Sequence, residues 1–247
     1  MLRSWKTLVD SGIQLSNHIS VNSIMYADDL VIIQKNEDAL QKSIFMLDRV
    51  AIKYNLKIST VKTKSMAFKG KNPFRTKIEL NRNVIEQVKN FNYLGNDVTY
   101  DTDNDVYKKI SNFMRICGTI HRNLKNKTRQ ETRIKFYNTI AVPTLLYGSE
   151  NWIHTRKMDS RIQAAEMRFL RNVFGCTRLD RIRNTDIRSF LSVTPLNEKI
   201  IQNRRNWCSH LNRMPSGRIP LEAYNYRPTG KREVGRPRKR WVPEQVN

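Results

Sequence analysis

Val21-Asn22-Ser23-Ile24-Met25-Tyr26-Ala27-Asp28-Asp29-Leu30-Val31-Ile32-Ile33 sets two short apolar runs on either side of a small acidic centre. Ile24-Met25 and Leu30 to Ile33 are β-compatible, and a tight turn at Ala27-Asp28-Asp29 folds them into a hairpin. The turn then presents two adjacent carboxylates. Neighbouring anions repel, so the arrangement is costly unless a cation neutralises it. Oxygen ligands of this kind suit Mg²⁺, which keeps several waters and takes further ligands from substrate phosphates. Adjacent Asp residues also occur at helix N-caps and exposed turns without any metal. Tyr-Ala-Asp-Asp between two apolar strands is far more specific than the bare pair.

Working outward, Asn36-Glu37-Asp38 reads as a helix start, with Asn36 as cap and two acids at the positive helix end. Ile44, Leu47, Val50, Ala51 and Tyr54 recur at helical spacing and mark its buried face. Leu56-Lys57-Ile58 and Met66-Ala67-Phe68 read as strands flanking a Lys-rich stretch. Lys77 to Val88 reads as a second hairpin turning at Asn81-Arg82-Asn83, and Phe91-Asn92-Tyr93-Leu94-Gly95 closes this α+β part.

Beyond residue 100 the texture is helical. Ile110, Phe113, Cys117, Ile120 and Leu124 form one stripe at spacings of three and four. A second helix is expected from Gln130 to Ile140, ending near Pro143. A third, 157–174, buries Met158, Ile162, Ala165, Phe169 and Val173 and exposes Arg161, Arg168 and Arg171. A fourth, 197–213, carries Ile200, Ile201, Trp207 and Leu211 beside Arg204 and Arg205. The stretch 214–247 is rich in Pro, Gly and basic residues and is expected to be a flexible tail without its own core. The expected domains are therefore 1–100, 101–213 and 214–247.

The 247 residues carry 45 Lys and Arg against 22 Asp and Glu, a net charge of +23. Residues 1–100 hold a net +6 and residues 101–247 a net +17, so the field belongs mostly to the helical part. Arg predominates there, and its planar fork grips a phosphate through two hydrogen bonds. The partner implied is a polyanion, and nucleic acid in particular. No run reaches the eighteen or so apolar residues of a membrane span, and no membrane partner is expected. Three scattered cysteines suit a reducing, intracellular compartment. Cys208 and His210 are two potential zinc ligands without a second close pair, and read better as ordinary helix residues.

Tyr26-Ala27-Asp28-Asp29 followed by Leu30-Val31-Ile32-Ile33 resembles the YADD catalytic hairpin of reverse transcriptases, especially those of non-LTR retrotransposons. Asn55-Leu56-Lys57-Ile58-Ser59 with Lys62-Thr63-Lys64 resembles the following palm motif, usually Gly-Leu-Lys-Ile-Asn before Lys-Thr-Lys. Here Asn55 replaces the Gly and Ser59 the Asn. Phe91 to Gly95 resembles the primer-grip segment. Leu146-Tyr147-Gly148-Ser149-Glu150-Asn151-Trp152 and Gly235-Arg236-Pro237-Arg238-Lys239-Arg240-Trp241 resemble downstream segments of the same polyproteins. The resemblance implies an α+β fold made of a partial right-hand polymerase palm, a helical thumb-like region and a basic tail.

It also implies roles. Asp28 and Asp29 are the candidate catalytic and metal-binding pair, with Mg²⁺ as cofactor. Lys62, or Lys64 beside it, stabilises the leaving pyrophosphate, the alternative being a solvated charged loop. Tyr26, Tyr93, Leu94 and Gly95 contact primer or template, and Arg161, Arg168 and Arg171 grip the duplex backbone. RNA template, DNA primer and deoxynucleoside triphosphate are the implied partners. Family members carry a further catalytic Asp and a Gly-rich motif ahead of the hairpin. Only 25 residues precede Tyr26, and their one Asp, Asp10, lacks a surrounding apolar strand. The polypeptide is thus expected to be inactive alone. The rival reading is a non-enzymatic nucleic-acid-binding remnant of a retroelement.

In the tail, Gly-Arg-Pro among basic residues resembles an AT-hook core, in which Arg side chains enter a narrow minor groove. Arg236, Arg238, Lys239 and Arg240 are its candidate contacts. A generic basic linker or nuclear-localisation signal is the other reading. Trp241 either stacks on a base or anchors the tail.

Overall fold

Short strands around one long helix, followed by an assembly of helices, make up a computed structural model that describes residues 5, 12–68, 74–99, 103–227 and 241. The fold is mixed α+β, as the sequence predicts. Two units divide it: Met1–Tyr93, Val98–Tyr100 and Arg213–Lys231 form the first, and Leu94–Asp97, Asp101–Asn212 and Arg232–Asn247 the second.

In the first unit, β1 (Ile13–Gln14) pairs antiparallel with β2 (Ser20–Val21), and β3 (Ser23–Tyr26) with β4 (Asp29–Ile32). Helix α1 (Glu37–Lys53) begins at the predicted cap: Asn36 is extended, and its side chain accepts from the Ala39 N–H at 2.8 Å. Such a cap is worth about 1 kcal/mol. Ile44, Leu47, Val50 and Ala51 are buried as their spacing predicts, whereas Tyr54 is exposed. The helix ends at Lys53, so Tyr54 has left the buried stripe. Asn55 has φ +55 and lets the Leu56 N–H return to the Ala51 carbonyl at 3.0 Å. That left-handed closure is the one a glycine provides most cheaply.

β5 (Lys64–Ser65), β6 (Ile78–Leu80) and β7 (Asn83–Gln87) form a sheet with β7 central, parallel to β5 and antiparallel to β6. Asn81 and Arg82, φ +51 and +63, turn β6 into β7; the turn is one residue shorter than the expected Asn81-Arg82-Asn83, because Asn83 pairs with Leu80. Ile44 of α1 packs on Ile78, Leu80 and Ile85, while Leu47 and Val50 enclose Trp5. Each such aliphatic side chain contributes about 1.5–3 kcal/mol on burial. Two expected strands are absent. Leu56-Lys57-Ile58 runs into a turn in which the Ser59 carbonyl accepts from the Thr63 N–H and hydroxyl, at 3.0 and 2.7 Å. Met66-Ala67-Phe68 lies beyond Ser65↔Gln87, the last pair that β7 offers. β8 (Asn90–Tyr93) and β9 (Asn96–Thr99) form the last hairpin, turning at Leu94 and Gly95.

The second unit contains α2 (Asp103–Leu124), α3 (Gln130–Phe136), α4 (Val142–Leu146), α5 (Arg156–Phe174), α6 (Asn184–Leu191) and α7 (Leu196–Asn212). Their apolar stripes merge into one core around Phe113, Tyr137, Ile162, Leu170 and Ile200. Tyr137 stacks on Phe169 at 5.0 Å and meets the edge of Phe113 at 5.9 Å. Glu166 is buried at 1% exposure, yet fully engaged: it accepts from Arg188 at 2.5 Å, from the Leu196 N–H at 3.0 Å and from the Tyr137 hydroxyl at 3.4 Å. It thereby fastens α6 and α7 to α5.

The helix expected to stop near Pro143 instead runs to Leu146 through a π-helical turn, Tyr137–Ala141. Pro143 offers no N–H and its ring would clash with the carbonyl four residues back. The wider turn takes up that conflict, with the Val142 N–H reaching the Tyr137 carbonyl. Helix α6 was not foreseen; its eight residues bury only Ile187 and Leu191, too weak a periodicity to read. Within 214–247, α8 (Ile219–Asn225) forms but buries none of its residues.

Candidate catalytic hairpin and nucleic-acid interface

The β3–β4 turn is tighter than the sequence suggests. Tyr26 pairs with Asp29, Met25 with Leu30, Ile24 with Val31 and Ser23 with Ile32, so only Ala27 and Asp28 form the turn. Strand alternation then sorts the side chains. Leu30 and Ile32 pack on the Trp5–Leu47–Val50 cluster, which leaves Ile24, Tyr26, Asp29 and Val31 on the opposite face. Tyr26 and Asp29 thus stand side by side on the open face, with Asp28 at the tip. All three are exposed, and Tyr26 is 64% accessible. Ala27 has φ +47, a left-handed backbone that a side chain makes costly. Strain is therefore stored next to the carboxylate pair.

The Asp28 and Asp29 carboxylates have no hydrogen-bond or ion-pair partner among the described residues. Nor do the described residues contain a group of three or more His, Cys, Asp or Glu able to hold a metal ion. Two exposed carboxylates with nothing else competing for them are a hard-oxygen donor set. It fits a Mg²⁺ that fills its remaining positions with water and phosphate. Lys62 and Lys64 part company: Lys62 is exposed, whereas Lys64 is tied to Glu86 at 2.5 Å. Of the two, only Lys62 is without an ion pair among the described residues.

Tyr93, at the end of β8, is partly buried and its hydroxyl has no hydrogen-bond partner among the described residues. Leu94 and Gly95 follow with φ +49 and +75. In the second unit this turn is fixed from behind. The Tyr147 hydroxyl donates to the Leu94 carbonyl at 2.9 Å, and Lys109 Nζ donates to Asn96 Oδ1 and the Tyr147 carbonyl, both at 2.6 Å. Lys109 also lies 3.1 Å from Asp105 Oδ2, which accepts from the Trp152 indole at 2.7 Å. A Cβ on Gly148 would come within 2.0 Å of Asn96 Oδ1, and its φ is +71. The Tyr147-Gly148 and Leu94-Gly95 segments are therefore two sides of one contact. Sequence reading missed Lys109, although a lysine between Val106 and Phe113, on their buried face, was the available signal.

Arg161 and Arg168 are exposed as predicted. Arg171 is half-buried, donating to the Ile182 carbonyl at 3.3 Å and to Asn184 Oδ1 at 2.6 Å. The three converge with Arg178 on an open groove of about 1070 Å³ along α2 and α5. Arg161 stands 4.3 Å over the Tyr107 ring. Arg204, on α7 as expected, is buried, with its guanidinium 5.0 Å from the Trp241 ring. The Trp241 indole also donates to the Glu150 carbonyl at 2.7 Å, so Trp241 anchors on the helical unit. Arg236, Arg238, Lys239 and Arg240 lie outside the described residues.

Cys117 is core, and burial pushes its thiol up to about 12. Cys208 is buried in α7, and its thiol is also raised, first by burial. His210 tilts against Trp207 at 5.5 Å rather than joining a ligand set. No helix of the described residues is long and apolar enough to cross a membrane.

Residues 4–98 match the family described as reverse transcriptase (RNA-dependent DNA polymerase). The chain is also 26% identical over 239 residues to an uncharacterized transposon-derived protein of Caenorhabditis elegans, covering 92% of this chain and 84% of that protein. No solved structure matches it.

Proposed function

We propose that this chain, whose residues 4–98 match the reverse transcriptase family, is a segment of a retrotransposon reverse transcriptase and supplies the catalytic hairpin, primer grip and thumb of a non-LTR RNA-directed DNA polymerase. The observation that carries the reading is the hairpin itself. Its two-residue turn sets Asp28 at the tip and Asp29 beside Tyr26, exposed and without competing partners. Asp28 and Asp29 would hold Mg²⁺, which when bound stabilises the charge on attacking and leaving oxygens in nucleotidyl transfer. Tyr26 borders the primer end on the open face, and Lys62 stabilises charge on the leaving pyrophosphate. The Tyr93-Leu94-Gly95 turn supports the primer by packing. Template RNA and primer DNA run across these elements, and the incoming deoxynucleoside triphosphate meets them there. The basic helical part grips the nucleic-acid backbone. The tail adds contacts through Arg236, Arg238, Lys239 and Arg240, and the protein acts inside the cell.

These 247 residues alone are expected to extend no primer on poly(rA)/oligo(dT) with Mg²⁺ or Mn²⁺, because the family's upstream Asp and Gly-rich motif are not among them. Supplying the upstream palm half of a related element should give extension that Asp28→Asn abolishes while duplex binding survives. Extension indifferent to Asp28→Asn would overturn the polymerase reading. A non-enzymatic nucleic-acid-binding role is the second reading, favoured by the concentration of the charge, a net +17, in residues 101–247. It is the outcome if the supplemented chain binds but never extends.

A further inference from the structure

The groove along α2 and α5 combines two properties that rarely meet by accident. Four arginines line it (Arg161, Arg168, Arg171 and Arg178), and among the described residues no Asp or Glu does. Between them the floor is apolar or small, with Ile110, Met114, Ala164 and Ala165. A duplex presents phosphates outward and keeps its bases stacked inside, so it gains nothing from an apolar floor. A single strand presents both, phosphates for cations and base faces for flat or apolar surfaces. The groove also holds a flat platform. Tyr107 and the guanidinium of Arg161 lie 4.3 Å apart, and a guanidinium plane accepts a base on its face as an aromatic ring does. Arg171 is partly committed to Ile182 and Asn184, which fixes the wall. Arg161, Arg168 and Arg178 are exposed, with their guanidinium groups open to a phosphate.

We propose that this groove binds single-stranded nucleic acid, its phosphates on Arg161, Arg168 and Arg178 and a base stacked at the Tyr107–Arg161 pair. The assignment rests on the nucleic-acid reading above and narrows it to one strand state and one face. It separates the helical unit's work from that of a duplex clamp. Unpaired template or displaced strand is held in the groove, while the remaining basic surface is left for duplex.

The test uses the 247-residue chain and fluorescence anisotropy with labelled oligo(dT) and oligo(rU) of about fifteen nucleotides, against a duplex of equal length. Arg161→Ala with Arg168→Ala should weaken single-strand binding about tenfold and duplex binding by less than about twofold. Ala164→Trp, which fills the floor without touching charge, should reproduce the single-strand loss. Arg161→Lys with Arg168→Lys should fall in between, since charge remains and the planar stack does not. A photoreactive 4-thiouridine strand should cross-link to the peptides carrying Tyr107 or Met114. Equal losses on single strand and duplex, or undiminished single-strand binding by the Ala164→Trp variant, would overturn the groove assignment alone. A wild-type chain that binds neither form overturns the nucleic-acid reading with it.

Discussion

The Tyr147 hydroxyl donates to the Leu94 carbonyl at 2.9 Å, joining positions 53 apart in sequence. With the buried Lys109 bridging Asn96, Asp105 and the Tyr147 carbonyl, the contact makes one polar cluster of two distant segments. Removing Lys109 takes one charged donor from three acceptors at once, of which Asp105 keeps the Trp152 indole. Lys109→Met should cost about 3 kcal/mol, the scale of breaking a buried charge pair from one side. Tyr147→Phe should cost about 1 kcal/mol. Urea unfolding followed by circular dichroism ranks them, and equal midpoints for wild type and Lys109→Met would refute the cluster's structural weight.

At the hairpin tip, Ala27 bears its Cβ on a backbone of φ +47. Ala27→Gly relieves that strain and should leave stability within about 0.5 kcal/mol of wild type or above it, the gain being offset by glycine's entropy. Ala27→Val should lose about 1–2 kcal/mol, because a branched side chain tolerates the left-handed region worst. The order Gly, Ala, Val in urea midpoint is the check.

Cys117 gives a pH signature. Its thiol rises from an ordinary 9.0 to about 12 through burial, so between those values the folded chain keeps a proton that the unfolded chain has lost. Its contribution to stability is complete below pH 9 and disappears as the pH climbs through that window. Wild type should therefore lose stability more steeply than Cys117→Ala above pH 9. Iodoacetamide near neutral pH should label the partly exposed Cys176 ahead of Cys117 and Cys208, as peptide mass spectrometry would record.

Nucleic-acid affinity should fall steeply with salt. If about six phosphates are engaged, the log–log slope for duplex DNA is near −5 by counterion release. Replacing Arg236 and Arg238 with Ala should weaken binding further, and more on A·T-rich than on G·C-rich duplex. Equal losses would reduce the tail to a sequence-blind clamp, and a flat salt response would remove the electrostatic argument.

Where local chemistry decided the outcome, sequence sufficed. Asn36 capped α1, the apolar runs around Asp28 and Asp29 paired, and Asn81-Arg82 turned β6 into β7, because each answer lay within a few residues. Where it depended on a distant partner, sequence fell short. Leu56 to Ile58 has strand composition but no strand to pair with, and α6 owes its place to Arg188 reaching Glu166, 22 positions away. At the site, the carboxylate pair and the arginines were readable one by one. That Arg161 stands over Tyr107, or that Lys64 is taken by Glu86, is a property of packing and had no local signal.

Tyr137, Ala141 and Leu145 follow one another at intervals of four, and none is exposed at all. An uninterrupted α-helix repeats every 3.6 residues, so a seam written in fours creeps around the axis and would set Leu145 about 80° from Tyr137. The wide turn at Tyr137–Ala141 sets the creep back, as a leap day returns a calendar to the season. Pro143 and the surplus residue thus work as one structural unit. A descendant that gave up the proline would keep its seam in phase only by also shedding a residue between Tyr137 and Ala141.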